Sequence, residues 1–174
     1  MKNALEIARL LDPIGWRILA ELQEDARIQY AELGRRVGLS NPAVIERVRR
    51  MEEAGIITAY RAEIDNRKVG LPVCAFIRVR VIGNLIPRVI AVAKEMPEVY
   101  ECHRIAGEDT FLLKVCVPTS EALEKTVDKL TPYVATTTML VFSSPVTRRA
   151  VEPPAEIEAS PAQRSKAKKR APKR

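Results

Sequence analysis

The sequence is poor in the residue types from which most catalytic and metal sites are built. It contains one histidine, three cysteines and 5% aromatic residues in 174 positions. One histidine excludes a multi-histidine site, and we find no nucleophile–base pair, metal-ligand cluster or phosphate-binding loop. Cys74, Cys102 and Cys116 show no CxxC spacing and lie in apolar runs. We therefore expect small core cysteines without disulfides, no catalytic residues, no metal and no cofactor.

Long hydrophobic runs are also missing. No apolar run approaches the ~18–20 residues that cross a bilayer. The N-terminal stretch MKNALEIARLLD is amphipathic and contains acid, unlike a signal peptide. With 47% hydrophobic residues the chain can form a packed core, divided into one large or two small domains. We expect a cytoplasmic protein without membrane association.

The net charge of +7 is unevenly distributed. Residues 1–64 carry ten basic and ten acidic side chains, residues 65–150 twelve and nine, and residues 151–174 seven and three. All seven basic residues of the last segment lie in its final eleven positions, RSKAKKRAPKR. This segment lacks aromatic residues and is rich in proline and alanine, so we predict a disordered tail over 151–174. Its charge favours DNA phosphate contacts, and a merely solvated tail is the alternative.

The first 64 residues predict a winged helix-turn-helix domain. Asp12 and Pro13 begin a helix with an apolar stripe, a second helix covers residues 29–37, and Gly38 turns the chain into a third. In this third helix, GLSNPAVIERVRRMEEAG at 38–55, an apolar seam recurs at Val44, Val48 and Met51. Ser40 stands at the N-cap position and Gly55 at the C′ position. The following IITAYRAEID predicts a strand, or wing.

A second domain follows a hinge at residues 65–72. Between residues 73 and 150, segments with strand periodicity and segments with helix periodicity alternate in the order βαββαβ. This order is typical of a ferredoxin-like domain. The predicted fold class is therefore α+β, with a winged helix-turn-helix domain, a ferredoxin-like βαββαβ domain and a disordered basic tail.

The outward face of the third helix carries the candidate DNA contacts. A helix-turn-helix places its second helix in the major groove, where Ile45 could touch a thymine methyl group and Arg49 could bond guanine. Arg47 and Arg50 flank the helix and suit phosphates. The alternative is an ordinary helical hairpin whose arginines pair with nearby glutamates. The predicted DNA-binding residues are Ser40, Asn41, Pro42, Ile45, Glu46, Arg47, Arg49 and Arg50.

Several fixed spacings in this region resemble those of one family. This part of the chain resembles the DNA-binding domain of the Lrp/AsnC, or feast/famine, regulators. The matching pieces are LD at 11–12, IL at 18–19, LQ.D.R at 22–27, AEL at 31–33, RVGLS at 36–40 and ERVRRMEEAGII at 46–57. The family's second domain, which binds effectors and oligomerises, fits the βαββαβ half. Two positions depart from the family pattern: Gly15 replaces a usual Asp, and Gln29 replaces a usual Ser or Thr cap.

The resemblance also implies an effector site. In the family, a glycine-acid turn between the second and third strands of the second domain, with residues of neighbouring subunits, holds a small ligand, commonly an amino acid. The corresponding residues here are Gly107, Glu108, Asp109 and Thr110, with Thr136 and Thr138 on the last strand. A plain hairpin turn is the alternative interpretation. Thr110-Phe111 replaces the Asp-Tyr of many members, which puts the usual amino-acid contacts in question.

Three functions are compatible with these observations. The first is a sequence-specific, nucleoid-associated transcription regulator that binds double-stranded DNA, responds to an amino acid or related effector, and forms homodimers and larger homo-oligomers. The second is an enzyme similar to sirohaem decarboxylases, which share this architecture but use histidine, of which this chain has one. The third is a DNA-compacting protein driven by the basic tail. The resemblance favours the first.

Overall fold

The computed structural model describes residues 4–154, and the chain divides into two compact units. The first unit contains the residues up to Ala62 together with those from Arg148 onward, and the second contains Glu63–Thr147. Most of the predicted disordered tail, residues 155–174, lies outside the described residues.

Four helices form the first unit: α1 (Ala4–Leu10), α2 (Pro13–Glu24), α3 (Tyr30–Val37) and α4 (Asn41–Glu53). Helices α3 and α4 are the predicted helix-turn-helix pair, joined by a short turn in which Gly38 has a φ of 79°. The seam of α4 is buried as predicted, because Val44, Val48 and Met51 are at most 1% exposed. They pack with Leu10, Ile18, Leu22, Leu33 and Val37 in one core.

The predicted helix ends are only partly confirmed. The Asp12 side chain accepts a hydrogen bond from the Gly15 amide at 2.7 Å, as an N-cap should. Gly55 ends α4 in the left-handed region, with φ of 72°. Ser40 occupies the N-cap position of α4, as predicted, with extended backbone, although its hydroxyl makes no capping hydrogen bond. Gln29 likewise precedes α3 without a side-chain cap.

The predicted strand at 56–65 is not formed in the described chain. Residues 56–65 have no strand structure, and the amides of Ile56 and Ile57 instead bond back to the Met51 carbonyl at the end of α4. A strand needs a neighbouring strand for its ladder of hydrogen bonds. The described residues of this unit contain none, so the alternating pattern alone cannot form a wing.

The second unit confirms the predicted βαββαβ order. Its elements are β1 (Val73–Arg80), α5 (Ile86–Glu95), β2 (Val99–Arg104), β3 (Phe111–Val117), α6 (Ser120–Asp128) and β4 (Ala135–Leu140). The four strands form one antiparallel sheet in the order β2-β3-β1-β4. This is the ferredoxin-like arrangement, with β1 and β3 in the centre and β2 and β4 at the edges.

The two sheet faces differ in burial because alternate residues of a strand point to opposite sides. One face packs with apolar residues of α5 and α6 in a single core whose centre is Ile77, Val79, Leu113 and Val115. The other face carries Phe76 and Arg78 of β1, with Met139 of β4 paired to Phe76. We call this second surface the open face. It is only partly covered, and Met139 is 40% exposed.

The expectation of three separate core cysteines is wrong. Cys74 and Cys116 face each other across β1 and β3, with Cα atoms 4.1 Å apart, and form a disulfide. Directly opposed residues in an antiparallel pair approach to this distance when they exchange no backbone hydrogen bonds. Cys102 is a free thiol and is exposed, because β2 lies at a sheet edge.

Candidate nucleic-acid interface and effector region

Helix α4 keeps its outward surface free while its seam is buried. Ile45 is 43% exposed, although a large aliphatic residue normally lies in a core. Around it, polar and charged residues point outward on the same surface. The structure brings together on this surface six predicted contacts: Ser40, Asn41, Pro42, Ile45, Glu46 and Arg49.

Arg49 is held within its own helix by two carboxylates. Its guanidinium donates to Glu46 at 2.8 and 3.0 Å and also to Glu53. These bonds, first that of Glu46, raise the pKa of Arg49, and the Arg49 bond lowers the pKa of Glu46. The pairing foreseen by the hairpin alternative is therefore present. The Arg49 side chain is nevertheless 54% exposed, so both partners remain accessible to solvent.

Arg47 points inward, not toward the outer surface. It donates to Asp12 at 2.6 Å, and its side chain is 23% exposed. Burial alone would raise the pKa of Asp12, but the hydrogen bonds from Arg47 and from the Gly15 amide outweigh it and keep that pKa below its usual value. Arg47 thus links α4 to the start of α2. Arg50 similarly reaches Glu6 at 3.4 Å.

The predicted effector turn is crossed by two ion pairs. Arg78 lies 2.5 Å from the Asp109 carboxylate, and Arg80 lies 2.7 Å from that of Glu108. Gly107 has a φ of 139°, a conformation that favours glycine. The Asp109 side chain is only 12% exposed, whereas that of Glu108 is 81% exposed. The turn therefore holds one shielded and one open carboxylate, each already beside a guanidinium.

Thr136 and Thr138 share one face of the sheet, but it is not the face of the turn carboxylates. They pair across the strands with Val79 and Ile77, whose side chains lie in the helix-covered core. Asp109 instead meets Arg78, which alternates to the open face. Within one chain the two parts of the predicted site are thus on opposite sides of the sheet.

The same residues do lie at one end of the sheet. The Thr110 amide donates to the Val79 carbonyl at 2.8 Å, and Thr136 is the cross-strand partner of Val79 on the other side of β1. Thr110 and Thr136 are therefore separated by two strand spacings, about 10 Å. The turn and the last strand therefore border the same end of β1.

Sequence reasoning missed Arg78 and Arg80 as residues of this region. The signal was present in the run VCAFIRVRV, because two arginines spaced by two residues on a strand share one face. Their carboxylate partners are about thirty positions away and required the strand pairing to be known.

The described residues 4–154 contain no cluster of histidine, cysteine and acidic side chains that could hold a metal. The one histidine, His103, lies on the exposed edge strand β2 beside Glu101, with Nε2 and Oε2 3.1 Å apart. None of the helices in the described range has the length and apolar character required to cross a bilayer.

Comparisons with known proteins agree with both units. Residues 11–52 match the AsnC-type helix-turn-helix domain, and residues 74–151 match the Lrp/AsnC ligand binding domain. The chain is 39% identical over 133 residues to the HTH-type transcriptional regulator LrpC of Bacillus subtilis, an alignment that covers 76% of this chain and 92% of LrpC. It is 43% identical over 109 residues to the proline dehydrogenase transcriptional activator of Rhodobacter capsulatus, covering 61% and 71%.

A solved structure gives the same result. A Neisseria meningitidis transcriptional regulator, solved as a complex with L-methionine, superposes with a TM-score of 0.76 at 30% identity, covering 81% of this chain and 96% of that one. The helix-turn-helix with its outward α4 surface, the antiparallel βαββαβ unit and these matches lead to one conclusion. The chain is a DNA-binding transcription regulator and belongs to the Lrp/AsnC family.

Proposed function

We propose that α4 enters the major groove of double-stranded DNA and reads base edges with its outward surface. The observation that carries this proposal is the division of the helix: the seam is fully buried while Asn41, Ile45 and Arg49 face solvent. Ile45 offers an apolar contact for a thymine methyl group, and Arg49 offers a fork for guanine. To reach a base, Arg49 exchanges its bonds with Glu46 and Glu53 for bonds to DNA.

The inward position of Arg47 divides the predicted contacts into two roles. Because Arg47 is occupied by Asp12 inside the unit, we assign it to positioning α4 and not to phosphate binding. Arg50 is 43% exposed and only loosely paired at 3.4 Å, so it remains a proposed phosphate contact.

Replacing Arg49 tests the base-reading proposal. We expect Arg49→Ala to relax base preference at one operator position by roughly 5- to 100-fold, the range for a lost bidentate contact. The measurement is a binding-site selection followed by mobility-shift titration on the chain's own upstream region. Arg35→Ala is the matched control, because Arg35 is also held by a glutamate three residues before it, but on α3. An unchanged preference in Arg49→Ala would remove this residue from the base-reading set.

We propose that the sheet unit binds an amino acid or a related small effector near the 107–110 turn. A zwitterionic amino acid needs a cation for its carboxylate and an anion for its ammonium. Arg78 and Asp109 supply both charges in one pair. The match to a ligand-binding domain and the methionine complex of a structural relative support this proposal.

A thermal-shift panel of amino acids tests the effector proposal. A ligand at a hundred times its Kd stabilises the folded protein by about 2.7 kcal/mol, which raises Tm. We expect Asp109→Asn to abolish the shift, whereas Glu124→Gln, an exposed carboxylate on α6, should retain it. If no amino acid raises the Tm of the parent chain, or if Asp109→Asn responds like the parent, the proposed site is wrong.

We also propose that the chain forms a homodimer through the open face, with larger homo-oligomers built from it. The open face presents apolar residues on three neighbouring strands: Phe76 lies opposite the 40%-exposed Met139, and Leu112 lies on β3 opposite Arg78. A second copy is the expected occupant, because most soluble oligomers pair identical patches about a two-fold axis.

Light scattering coupled to size exclusion tests the assembly. We expect a mass at least twice the 19.5 kDa of one chain, and a lower mass for Met139→Arg. Ile82→Arg is the control, since Ile82 is 74% exposed in the loop after β1. A monomeric parent chain, or equal masses for both variants, would contradict the open-face dimer. As a regulator of transcription, the protein would work in association with the nucleoid in the cytoplasm.

A further inference from the structure

The Cys74–Cys116 disulfide joins β1 and β3 at one end of the open face. Both cysteines alternate to the same side of the sheet as Phe76. The Cys74 carbonyl accepts from the Val141 amide at 2.9 Å, and the Cys116 amide donates to the Glu98 carbonyl at 3.3 Å. These backbone groups point away from each other, toward the two edge strands. The two cysteines are therefore joined to each other by their sulfur atoms.

A short loop, residues 65–71, leads from the boundary of the two units to the start of β1. The loop closes on itself, because the Leu71 amide donates to the Asn66 carbonyl at 2.8 Å. Gly70 makes this possible with a φ of 84°, in the left-handed region. The closed loop holds the side chain of Asn66 over the end of the sheet.

The Asn66 side chain meets both sulfur atoms of the disulfide. Its Nδ2 donates to Cys116 Sγ at 3.2 Å and lies 3.8 Å from Cys74 Sγ. A disulfide sulfur is only a weak acceptor, but a bond to an ionised acceptor is roughly twice as strong as a neutral one. This donor would therefore stabilise a thiolate at Cys116 more than it stabilises the intact disulfide.

The two sulfur-bearing residues differ in access. Cys116 is 2% exposed, whereas Cys74 is partly exposed. In thiol–disulfide exchange a thiolate attacks one sulfur and the other sulfur leaves as a thiolate. Access directs the attack to Cys74, and the Asn66 donor lies beside the sulfur that would then leave. Access and hydrogen bonding thus favour the same direction of bond opening.

The role of the chain as a DNA-binding regulator bears on the purpose of this bond. Proteins that work on intracellular DNA share a compartment in which thiols are kept reduced. Disulfides in such compartments are usually transient, with catalytic or redox-sensing roles, and not permanent cross-links. An accessible cysteine bonded to a buried cysteine beside a hydrogen-bond donor fits a transient bond.

We propose that Cys74–Cys116 is a reversible redox site that exchanges with low-molecular-weight thiols and their disulfides. In this site Asn66 is a positioning residue, which stabilises the departing Cys116 sulfur. Reduction removes the covalent link between β1 and β3 and releases the loop 65–71 from the disulfide. The redox state is thereby transmitted to the segment that connects the two units. This inference does not depend on the docking of α4 in DNA.

The exchange proceeds in two steps. A small thiolate forms a bond to Cys74 Sγ, the protein S–S bond breaks, and its electron pair stays on Cys116 Sγ, which takes a proton from water. A second small thiolate attacks the sulfur of the first in the mixed disulfide, and Cys74 leaves as a thiolate and is protonated. Two small thiols are oxidised to one small disulfide while the protein disulfide is reduced to two thiols. Oxidation is the same sequence reversed.

The first test locates the attack. The background is Cys102→Ser, because Cys102 is free and exposed and would form adducts of its own. The folded protein is treated with reduced glutathione, quenched with acid and mapped by mass spectrometry. We expect the glutathione adduct on Cys74, and recovery of the protein disulfide when oxidised glutathione is added. An adduct on Cys116 would overturn the proposed direction.

Access is checked in the same experiment with Met139→Arg. This variant controls for assembly, because a dimer through the open face would shield residues near the disulfide. If the folded chain releases its thiols only after unfolding, both with and without Met139→Arg, the disulfide is a permanent cross-link and the inference fails.

The second test concerns Asn66. Asn66→Leu keeps a side chain of similar shape but removes the donor, and Asn84→Leu is the matched control, since Asn84 is exposed in the loop after β1. We expect Asn66→Leu to slow reduction about three- to tenfold, the range for one lost hydrogen bond. Asn66→Asp should slow it further, because it places a negative charge beside the departing thiolate. Rates in both Asn66 variants equal to or faster than that of Asn84→Leu would overturn the role of Asn66.

The third test follows the loop. Hydrogen exchange of a peptide covering residues 65–72 is measured before and after reduction, with a peptide of α6 as the internal control. We expect reduction to cause loss of protection at the Leu71 amide, whose acceptor is the Asn66 carbonyl, and no change in α6. Equal protection of the 65–72 peptide in both redox states would overturn the link between the disulfide and the loop.

Discussion

Replacement of Gly15 by alanine sets two physical effects against each other. In the middle of a helix, alanine is favoured over glycine by about 0.8–1.0 kcal/mol, so helix propensity alone predicts stabilisation. At Gly15, however, an added Cβ would lie 1.8 Å from the Leu10 carbonyl oxygen and 3.0 Å from Met51 Cε. The first distance is far inside van der Waals contact, and the atom that must move belongs to the backbone.

The steric effect should win. Overpacking of a buried site costs about 1–3 kcal/mol and sometimes more, and a clash this close with backbone belongs in the upper part of that range, about 2–3 kcal/mol. We therefore expect Gly15→Ala to lose about 1–2 kcal/mol after the propensity gain is subtracted. For a unit of this size, about 1 kcal/mol shifts Tm by about 4–8 °C. Because Met51 belongs to the seam of α4, we also expect weaker DNA binding. The close approach of Leu10, the last residue of α1, leaves no room for a side chain at position 15.

Calorimetry or circular-dichroism melting measures this change. Ala20→Gly is the matched control, since Ala20 is exposed on the same helix and should lose about 0.8–1.0 kcal/mol through propensity alone. If Gly15→Ala raised Tm by the amount that Ala20→Gly lowers it, the close contact with Leu10 would not exist, and our account of this position would be refuted.

Two further predictions follow from the structure. Thiol titration of the unfolded, unreduced chain should find one free thiol, Cys102, and titration after reduction should find three. Breaking the Cys74–Cys116 disulfide should lower the free energy of unfolding by at most about 4 kcal/mol, because the two cysteines are separated by 42 residues. Three free thiols before reduction would refute the disulfide. The pKa of Asp12 is lower in the folded state, so its ion pair with Arg47 stabilises the fold above the ordinary carboxyl pKa near 4 and is lost as pH falls through the folded value. Asp12→Asn should therefore melt at a lower temperature at pH 7 and lose less on acidification; an unchanged acid profile would show that Asp12 does not contribute.

The helical unit was predictable because its signals are local. The spacing of Val44, Val48 and Met51 is a property of one helix, and the left-handed Gly55 ends that helix whatever surrounds it. The absence of a capping bond at Ser40 was not predictable, because a residue type at the N-cap position states only what the hydroxyl could accept. The sheet order was predictable because strand and helix periodicities alternate without overlap between residues 73 and 140.

The features that were missed all depend on partners distant in sequence. The Arg47–Asp12 pair joins residues 35 positions apart, and the Cys74–Cys116 link depends on the register of β1 against β3. A helical projection could place Arg47 only on the flank of α4, where both an inward and an outward direction are open. The prediction of a wing was wrong for the same reason. The pattern at 56–65 fits a strand, but the described part of its unit contains no strand to pair with it.

The paired charges on α4 bear on how this regulator distinguishes a site from other DNA. Arg49 held by Glu46 and Glu53 presents little net positive charge to a phosphate, so the outer surface of α4 gains little from non-specific DNA. In the proposed complex it gains more where a guanine replaces both carboxylates as acceptor. A nearly neutral outer surface of α4 would favour discrimination between DNA sequences over general affinity for DNA. General affinity for DNA phosphates would then have to come from other basic residues of the chain.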